Sequence, residues 1–248
     1  MATPSVTAFV RSALRLLTVQ AAFNYERMIG VGLGYASEPL LRALPGGREG
    51  QHYHEALGRA AGYFNAHPYL VGLAAGATAR AEHEGVPGPQ VERLRTALVG
   101  PLGAVGDRLV WAGTLPAASA VGLALSAHTR AGVGAAALLA LYNVPHLLLR
   151  VWGLVAGWRH GTTLGRALAA PMLRGSLTAI GPIAACAIGF ATPLVANRLV
   201  GDLDLAAWAA AVVGAGVAVV VLRLLSPRFG ALRLALVAAT AIVLGTAL

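Results

Sequence analysis

Gly100-Pro101-Leu102-Gly103-Ala104-Val105-Gly106-Asp107-Arg108 lies inside an apolar run from Thr96 to Ala127, in which Asp107 and Arg108 are the only charged residues. Charge at membrane depth is costly, and residues kept there usually serve a function. Three glycines at intervals of three, together with Pro101, disfavour an uninterrupted helix and predict a broken or re-entrant one. Transporters build substrate sites from such breaks, because freed backbone groups and half-helix ends face the substrate. The competing reading is a tight helix hairpin whose Asp107–Arg108 pair closes a turn at the membrane surface.

The rest of the chain places this stretch in a bilayer. Of 248 residues, 57% are hydrophobic and 12% charged, against roughly 25% charged in soluble domains; the mean hydropathy is +0.68. The net charge of +9 comes from 19 arginines, with no lysine, against 10 acids, seven of them before residue 100. The arginines stand singly between apolar runs and not in a patch with aromatics, so the charge is assigned to cytoplasmic loops rather than to nucleic-acid binding. Cys186 is the single cysteine, which excludes an intrachain disulfide and a cysteine cluster for metal. Thr3 to Gln20 has arginines within its apolar part and no small-residue cleavage site, so the expectation is an uncleaved, cytosolic N-terminus.

The expected architecture is an all-α polytopic membrane protein. It comprises an interfacial N-terminal helix, a re-entrant or broken helix hairpin and four to five spans. Residues 1–23 form the amphipathic part, with Val10, Ala13, Leu14, Leu17 and Ala21 at helical spacing and Arg11 and Arg15 on another face, toward lipid phosphates. An ordinary soluble amphipathic helix fits the same pattern. Residues 24–95 are the most polar, with loops expected at Leu40–Gln51 and Glu82–Gln90. Between these loops, His67–Ala79 is apolar but too short to span, and so dips in or packs inside. Residues 96–161 hold the kink and spanning helices, and 162–248 the C-terminal ones. The spans are read as Leu109–Ala127, Ala131–Leu149, Ser176–Asn197, Leu205–Leu222 and Leu234–Leu248. Arg150, Arg159, Arg166 and Arg174 mark a cytoplasmic loop, as do Arg223, Arg228 and Arg233, which puts the C-terminal end outside. Gly30-xxx-Gly34, Gly72-xxx-Gly76 and the Gly153–Gly165 series place small residues on one helix face and predict close helix packing.

Several stretches carry chemistry. Phe23-Asn24-Tyr25-Glu26-Arg27-Met28 sets a carboxylate, a guanidinium and an amide together, a set that binds sugar hydroxyls and equally forms an ion pair at a helix start. Tyr63-Phe64-Asn65-Ala66-His67-Pro68-Tyr69 joins an amide, an imidazole and three aromatics, which suits a carbohydrate pocket or an interfacial aromatic belt. His67, His146 and His52-x-His54 lack an Asp or Cys at ligand spacing, so no metal is expected, and His52 and His54 are read as a solvated loop. Gly30-Val31-Gly32-Leu33-Gly34 follows no strand and is not a nucleotide loop, and no cofactor is expected. No triad or carboxylate pair points to hydrolysis.

Taken in order with Ala97–Asp107 and with Leu141-Tyr142-Asn143-Val144-Pro145 leading to Leu149-Arg150, these two stretches resemble the IID component of the mannose/fructose/sorbose class of the phosphotransferase system. The resemblance covers about Phe23 to Gly161. It implies a bacterial plasma-membrane subunit that pairs with a IIC subunit, as a trimer of IIC–IID pairs, and works with IIA and IIB cytoplasmic domains to import a hexose. The phosphohistidine lies on IIB, so this chain holds no catalytic residue. Asn24, Glu26, Arg27, Asn65, His67, Gly103, Gly106 and Asp107 are then expected to bind substrate or line its path. Where the family usually has proline after Gly-Asp, this chain has Arg108, which leaves a non-transporting scaffold or sensor as the alternative function.

Overall fold

The computed structural model describes residues 3–168, 171–200, 209, 212–217, 219–220, 224 and 231–247. The described elements are helical: α1 (Val6–Leu16), α2 (Gly30–Leu41), α3 (Gln51–Ala60), α4 (Val71–His83), α5 (Gly88–Gly106), α6 (Leu115–His128), α7 (Ala131–His160), α8 (Leu164–Leu168), α9 (Pro171–Val200) and α10 (Ala231–Ala247). A π-helical segment, Asp107–Thr114, joins α5 to α6. The fold is therefore all-α. Among the described residues three helices are long and apolar enough to cross a membrane, Gly88–His128, Ala131–Thr163 and Gly175–Arg198, and α10 carries a shorter apolar stretch, Arg233–Ile242. Most of Leu205–Leu222 lies outside the described residues.

The irregularity expected at the glycine-rich kink is present in another form. The helix does not reverse there: Gly100, Gly103 and Gly106 stay α-helical, and the winding widens only from Asp107. Pro101 is accommodated within α5, and Thr114 Oγ1 donates to the Leu109 carbonyl at 2.8 Å, satisfying an acceptor in the widened turn. Asp107 and Arg108 are both exposed.

The chain divides into two units, one of residues 1–107 and 145–174 and the other of residues 108–144 and 175–248. The first is built around α4, whose residues from Val71 to Ala79 are all buried. A helix that is apolar all round belongs in an interior, which is why its 13 residues are too few to span and pack inside instead. α7 lies against it almost backbone to backbone. A Cβ on Gly72 would stand 2.7 Å from the Arg150 carbonyl, and Cβ atoms on Gly76 and Gly157 would collide with the Leu154 and Leu73 carbonyls. The small-residue spacings act as packing faces here, as do Gly30, Gly32 and Gly34 of α2, which abut Gly62, Val19 and Ala61; Gly165 has open space.

α1 starts at Ser5, whose hydroxyl accepts from Ala8 N at 3.2 Å, and ends seven residues before the expected Phe23. It buries Ser12 and Leu16 and sets Phe9 edge-on to Trp158 at 5.4 Å. Its arginines do not share a role: Arg11 is exposed, whereas Arg15 donates inward to Glu38 Oε2 at 2.7 Å and lies over the Tyr35 ring. Glu38 also accepts from Arg48 (3.1 Å), the Tyr53 hydroxyl (3.0 Å) and Arg42. Burial opposes its ionisation, but the hydrogen bonds from Arg42, Arg15, Tyr53 and Arg48 outweigh burial and hold the carboxyl at about 2. A second buried acid, Glu82, takes two bonds from Arg59 (2.8 and 2.9 Å) and one contact from His52 at 2.9 Å. His52 and His54 therefore belong to the first turns of α3 and not to a loop.

The second unit packs on small side chains. Ala120 and Ala124 of α6 meet Ile188 and Ala191 of α9, with Ala235 and Ala239 of α10 against them. Gly122 abuts the Gly134 carbonyl and Leu138, and Gly113 abuts Ile180.

Candidate polar site of the first unit

The stretch at 24–28 is a closed turn. Met28 N donates to the Asn24 carbonyl at 2.7 Å and Asn24 N to the Met28 carbonyl at 3.3 Å. The Asn24 side chain shapes that turn: Oδ1 accepts from Arg27 N at 2.8 Å and Nδ2 donates to the Ala22 carbonyl at 3.2 Å. Met28 closes it at φ +52°, a left-handed conformation that is uncommon outside glycine and costs strain. Ile29 N then donates to the Phe64 carbonyl (3.1 Å) and Phe64 N to the Arg27 carbonyl (3.2 Å), so two stretches far apart in sequence run side by side. Phe64 is fully buried and anchors the pairing, while Glu26, Arg27 and Asn65 stay exposed. Glu26 and Arg27 form no ion pair with each other.

Three residues on, His67 turns inward and is 2% exposed. Its neighbour is Gly106, where any Cβ would collide with the imidazole; the third glycine of the kink is the space His67 occupies. Nδ1 accepts from Tyr69 N at 3.3 Å, which puts the proton of the neutral ring on Nε2. His67 lies outside the spans. Burial lowers its pKa to about 4 against an opposing pull from Asp107, with the Arg150 charge adding to the lowering, so the ring is neutral at pH 7. Gly103 is half-buried and nothing lies near its Cβ position. The structure thus joins Asn24, Glu26, Arg27 and Asn65 in one pair of loops, and His67, Gly106 and Asp107 in an adjoining group.

Residues that the sequence reading did not place in the site support both groups. Tyr69 packs edge-on to His67 at 5.0 Å and stacks on His146 at 4.3 Å, with the Arg150 guanidinium 4.7 Å from its ring. Arg150 is a buried residue inside α7 and donates to the Leu16 carbonyl, so it does not open a loop after Leu149: the helix continues to His160. Arg95 of α5 donates through Nη2 to the carbonyls of Ala60 (3.2 Å), Gly62 (3.1 Å) and Tyr63 (3.5 Å) and faces the Phe64 ring. It holds the turn that delivers Asn65 and His67. The signal for Arg95 was its place immediately before an apolar run, where a guanidinium without a solvent face needs carbonyl acceptors.

The sequence profile described as PTS system mannose/fructose/sorbose family IID component matches residues 5–197. The chain is 31% identical over 166 residues to the fructose permease IID component of Bacillus subtilis, covering 65% of this chain and 58% of that one. It is 32% identical to the sorbose-specific EIID component of Klebsiella pneumoniae, covering 64% and 57%, so it spans less than two thirds of the length of these relatives. Its fold is like that of a chain in a cryo-EM structure of the mannose transporter ManYZ in complex with microcin E492, with TM-score 0.61, 21% identity and coverage of 77% and 71%. All four stretches that carried the resemblance lie inside the matched residues, and on that match the chain belongs to the mannose/fructose/sorbose family of phosphotransferase-system IID components.

Proposed function

We propose that this chain is the IID subunit of a mannose-type sugar phosphotransferase permease, which with a IIC subunit translocates a hexose that IIB phosphorylates during uptake. The observation that carries this reading is the convergence of the family stretches: the 24–28 turn is hydrogen-bonded to the 62–65 stretch, and the next residues put His67 against Gly106 beside Asp107. Exposed Asn65, Glu26, Arg27 and Asp107 supply donors and acceptors for sugar hydroxyls, and neutral His67 backs them. Asn24 acts through the turn it shapes, and Gly103 and Gly106 by leaving room. None of these groups is a nucleophile with an activating base, which fits a subunit that positions the sugar while its partner does the phosphoryl chemistry.

In this reading the chain sits in a bacterial plasma membrane as one of three IIC–IID pairs, with its N-terminal end cytosolic and its C-terminal end outside. α1 lies in the interface with Val6, Val10, Leu14 and Leu17, all about half-exposed or more, toward lipid. The test is uptake and phosphorylation of radiolabelled hexoses in cells lacking their own mannose-type permease and supplied with this chain, its IIC and IIB partners and IIA. Phosphorylated sugar that depends on this chain is the expected result, and Asp107→Asn, inserted and partnered, is expected to cut uptake at least tenfold. Full assembly with no uptake in the wild type overturns the transport reading in favour of a scaffold, and unchanged uptake in Asp107→Asn removes Asp107 from the sugar path.

A further inference from the structure

Four helices of the first unit, α2 to α5, enclose a cavity of about 10 Å³ lined by Ser37, Arg59, Thr78, Glu82 and Arg95 among apolar neighbours. Ser37 is 1% exposed and Arg95 6%, and Ser37 Oγ and Arg95 Nε have no hydrogen-bond partner in the protein. Buried polar atoms are nearly always satisfied, by protein or by ordered water. We infer that this cavity is the site of a single buried water molecule that bridges Arg95 Nε and Ser37 Oγ.

The lining chooses the ligand. The volume matches the least that one water needs and is too small for any organic group. Two guanidiniums, Arg59 and Arg95, repel a metal ion, and the Glu82 carboxylate repels an anion. Arg95 Nε only donates and the Glu82 oxygens only accept, so the occupant must do both. Glu82 already takes two bonds from Arg59 and the His52 contact, which leaves acceptor capacity on a carboxylate with about four lone-pair positions. Thr78 Oγ1 spends its hydrogen on the Ala74 carbonyl at 2.8 Å and keeps its lone pairs. A water that accepts from Arg95 Nε, donates one hydrogen to Ser37 Oγ and the other toward Glu82 or Thr78 satisfies both unpartnered atoms.

The water also has a task. Nη2 of Arg95 grips the Ala60, Gly62 and Tyr63 carbonyls, and a partner on Nε fixes the other edge of the same planar group. The guanidinium cannot then swing about its long axis, and the turn leading to Asn65 and His67 is held from two sides. This inference rests on the cavity and its lining, independently of what the subunit transports.

The experiment uses the full chain in its assembled membrane complex. A cryo-EM map fine enough to show ordered water elsewhere in the interior is expected to hold a peak within about 3 Å of both Ser37 Oγ and Arg95 Nε. Ser37→Ala then gives a change of definite sign. Removing a hydroxyl that has no partner leaves stability unchanged or raises it, whereas removing one that holds a water orphans Arg95 Nε and lowers the thermal midpoint, by about 2–4 °C for a chain of this size. A map with other buried waters but no peak here, or a Ser37→Ala midpoint equal to or above wild type, overturns the inference.

Discussion

The two units of this chain solve the problem of an interior differently. The first, residues 1–107 and 145–174, buries acids and surrounds each with guanidiniums and other hydrogen-bond partners: Glu38 takes three arginines and Tyr53, and Glu82 takes Arg59 and His52. The second meets itself through alanine and glycine, with no ion pair among its described residues. A buried ion pair gains little over an apolar pair of the same shape, but it penalises every arrangement that separates the charges. Small-residue packing has no such penalty, and its attraction is dispersion over closely approaching backbones, which works in lipid. The first unit is therefore the one whose geometry is specified residue by residue, and it is the one that carries the candidate site.

That contrast can be broken by mutation, and the largest effect is expected from Glu38→Ala. It leaves Arg15, Arg42 and Arg48 around an uncompensated buried position and is expected to cost about 3–5 kcal/mol, read as thermal unfolding of the detergent-solubilised chain. Acid makes the same break reversibly. The Glu38 carboxyl is held at about 2 against 4.5 unperturbed, so its contribution is complete above pH 4.5 and is lost as pH falls from there through 2. His67 works at higher pH. Its pKa is lowered from 6.5 to about 4, so stability is full above pH 6.5 and declines as pH falls through the interval to 4. In unfolding titrations His67→Asn should remove the upper step and Glu38→Gln the lower one; two unchanged steps in both variants would show that other groups set the acid response.

Smaller effects sharpen the comparison. Gly76→Leu drives a side chain into the Leu154 carbonyl and is expected to cost about 1–3 kcal/mol or more, with α4 pushed off α7. In the second unit, Gly189 of α9 has nothing near its Cβ position, so Gly189→Ala should stabilise by about 0.5–1 kcal/mol through helix propensity. Similar losses from both substitutions would mean that the first unit's glycine faces are no tighter than the open positions of α9.

The sequence revealed the class of fold readily, because hydropathy and the scarcity of charge report directly on the solvent of the surface. It also singled out the stretches around Asn24 and Asn65, since polar residues and aromatics cluster there, although the turn and the pairing that they form were not read from it. What it could not supply was the sense in which charged side chains point. Arg11 and Arg15 lie four apart on one helix and read alike, yet only Arg15 finds an acid, because Glu38 is brought opposite it by packing that no local pattern encodes. Arg150 reads as the start of a loop for the same reason, since a guanidinium after an apolar run looks like a span end until a carbonyl from α1 is seen to receive it. The kink was read from glycine and proline alone. Those residues permit a break but do not require one, and here Gly106 serves His67 rather than a bend.

The π-helical stretch Asp107–Thr114 has a consequence for chain length. Hydrogen bonds from i to i+5 enclose one more residue than those of an α-helix, so this segment stores surplus chain inside a continuous helix. Deleting Ala112 would let it rewind as ordinary α-helix, because the Thr114 amide could keep the Leu109 carbonyl as its partner, then four residues back instead of five. The same deletion in the middle of α4 would turn every following side chain away from its cavity. A helix usually forbids a change in the number of its residues, and Asp107–Thr114 is a place where that rule is relaxed.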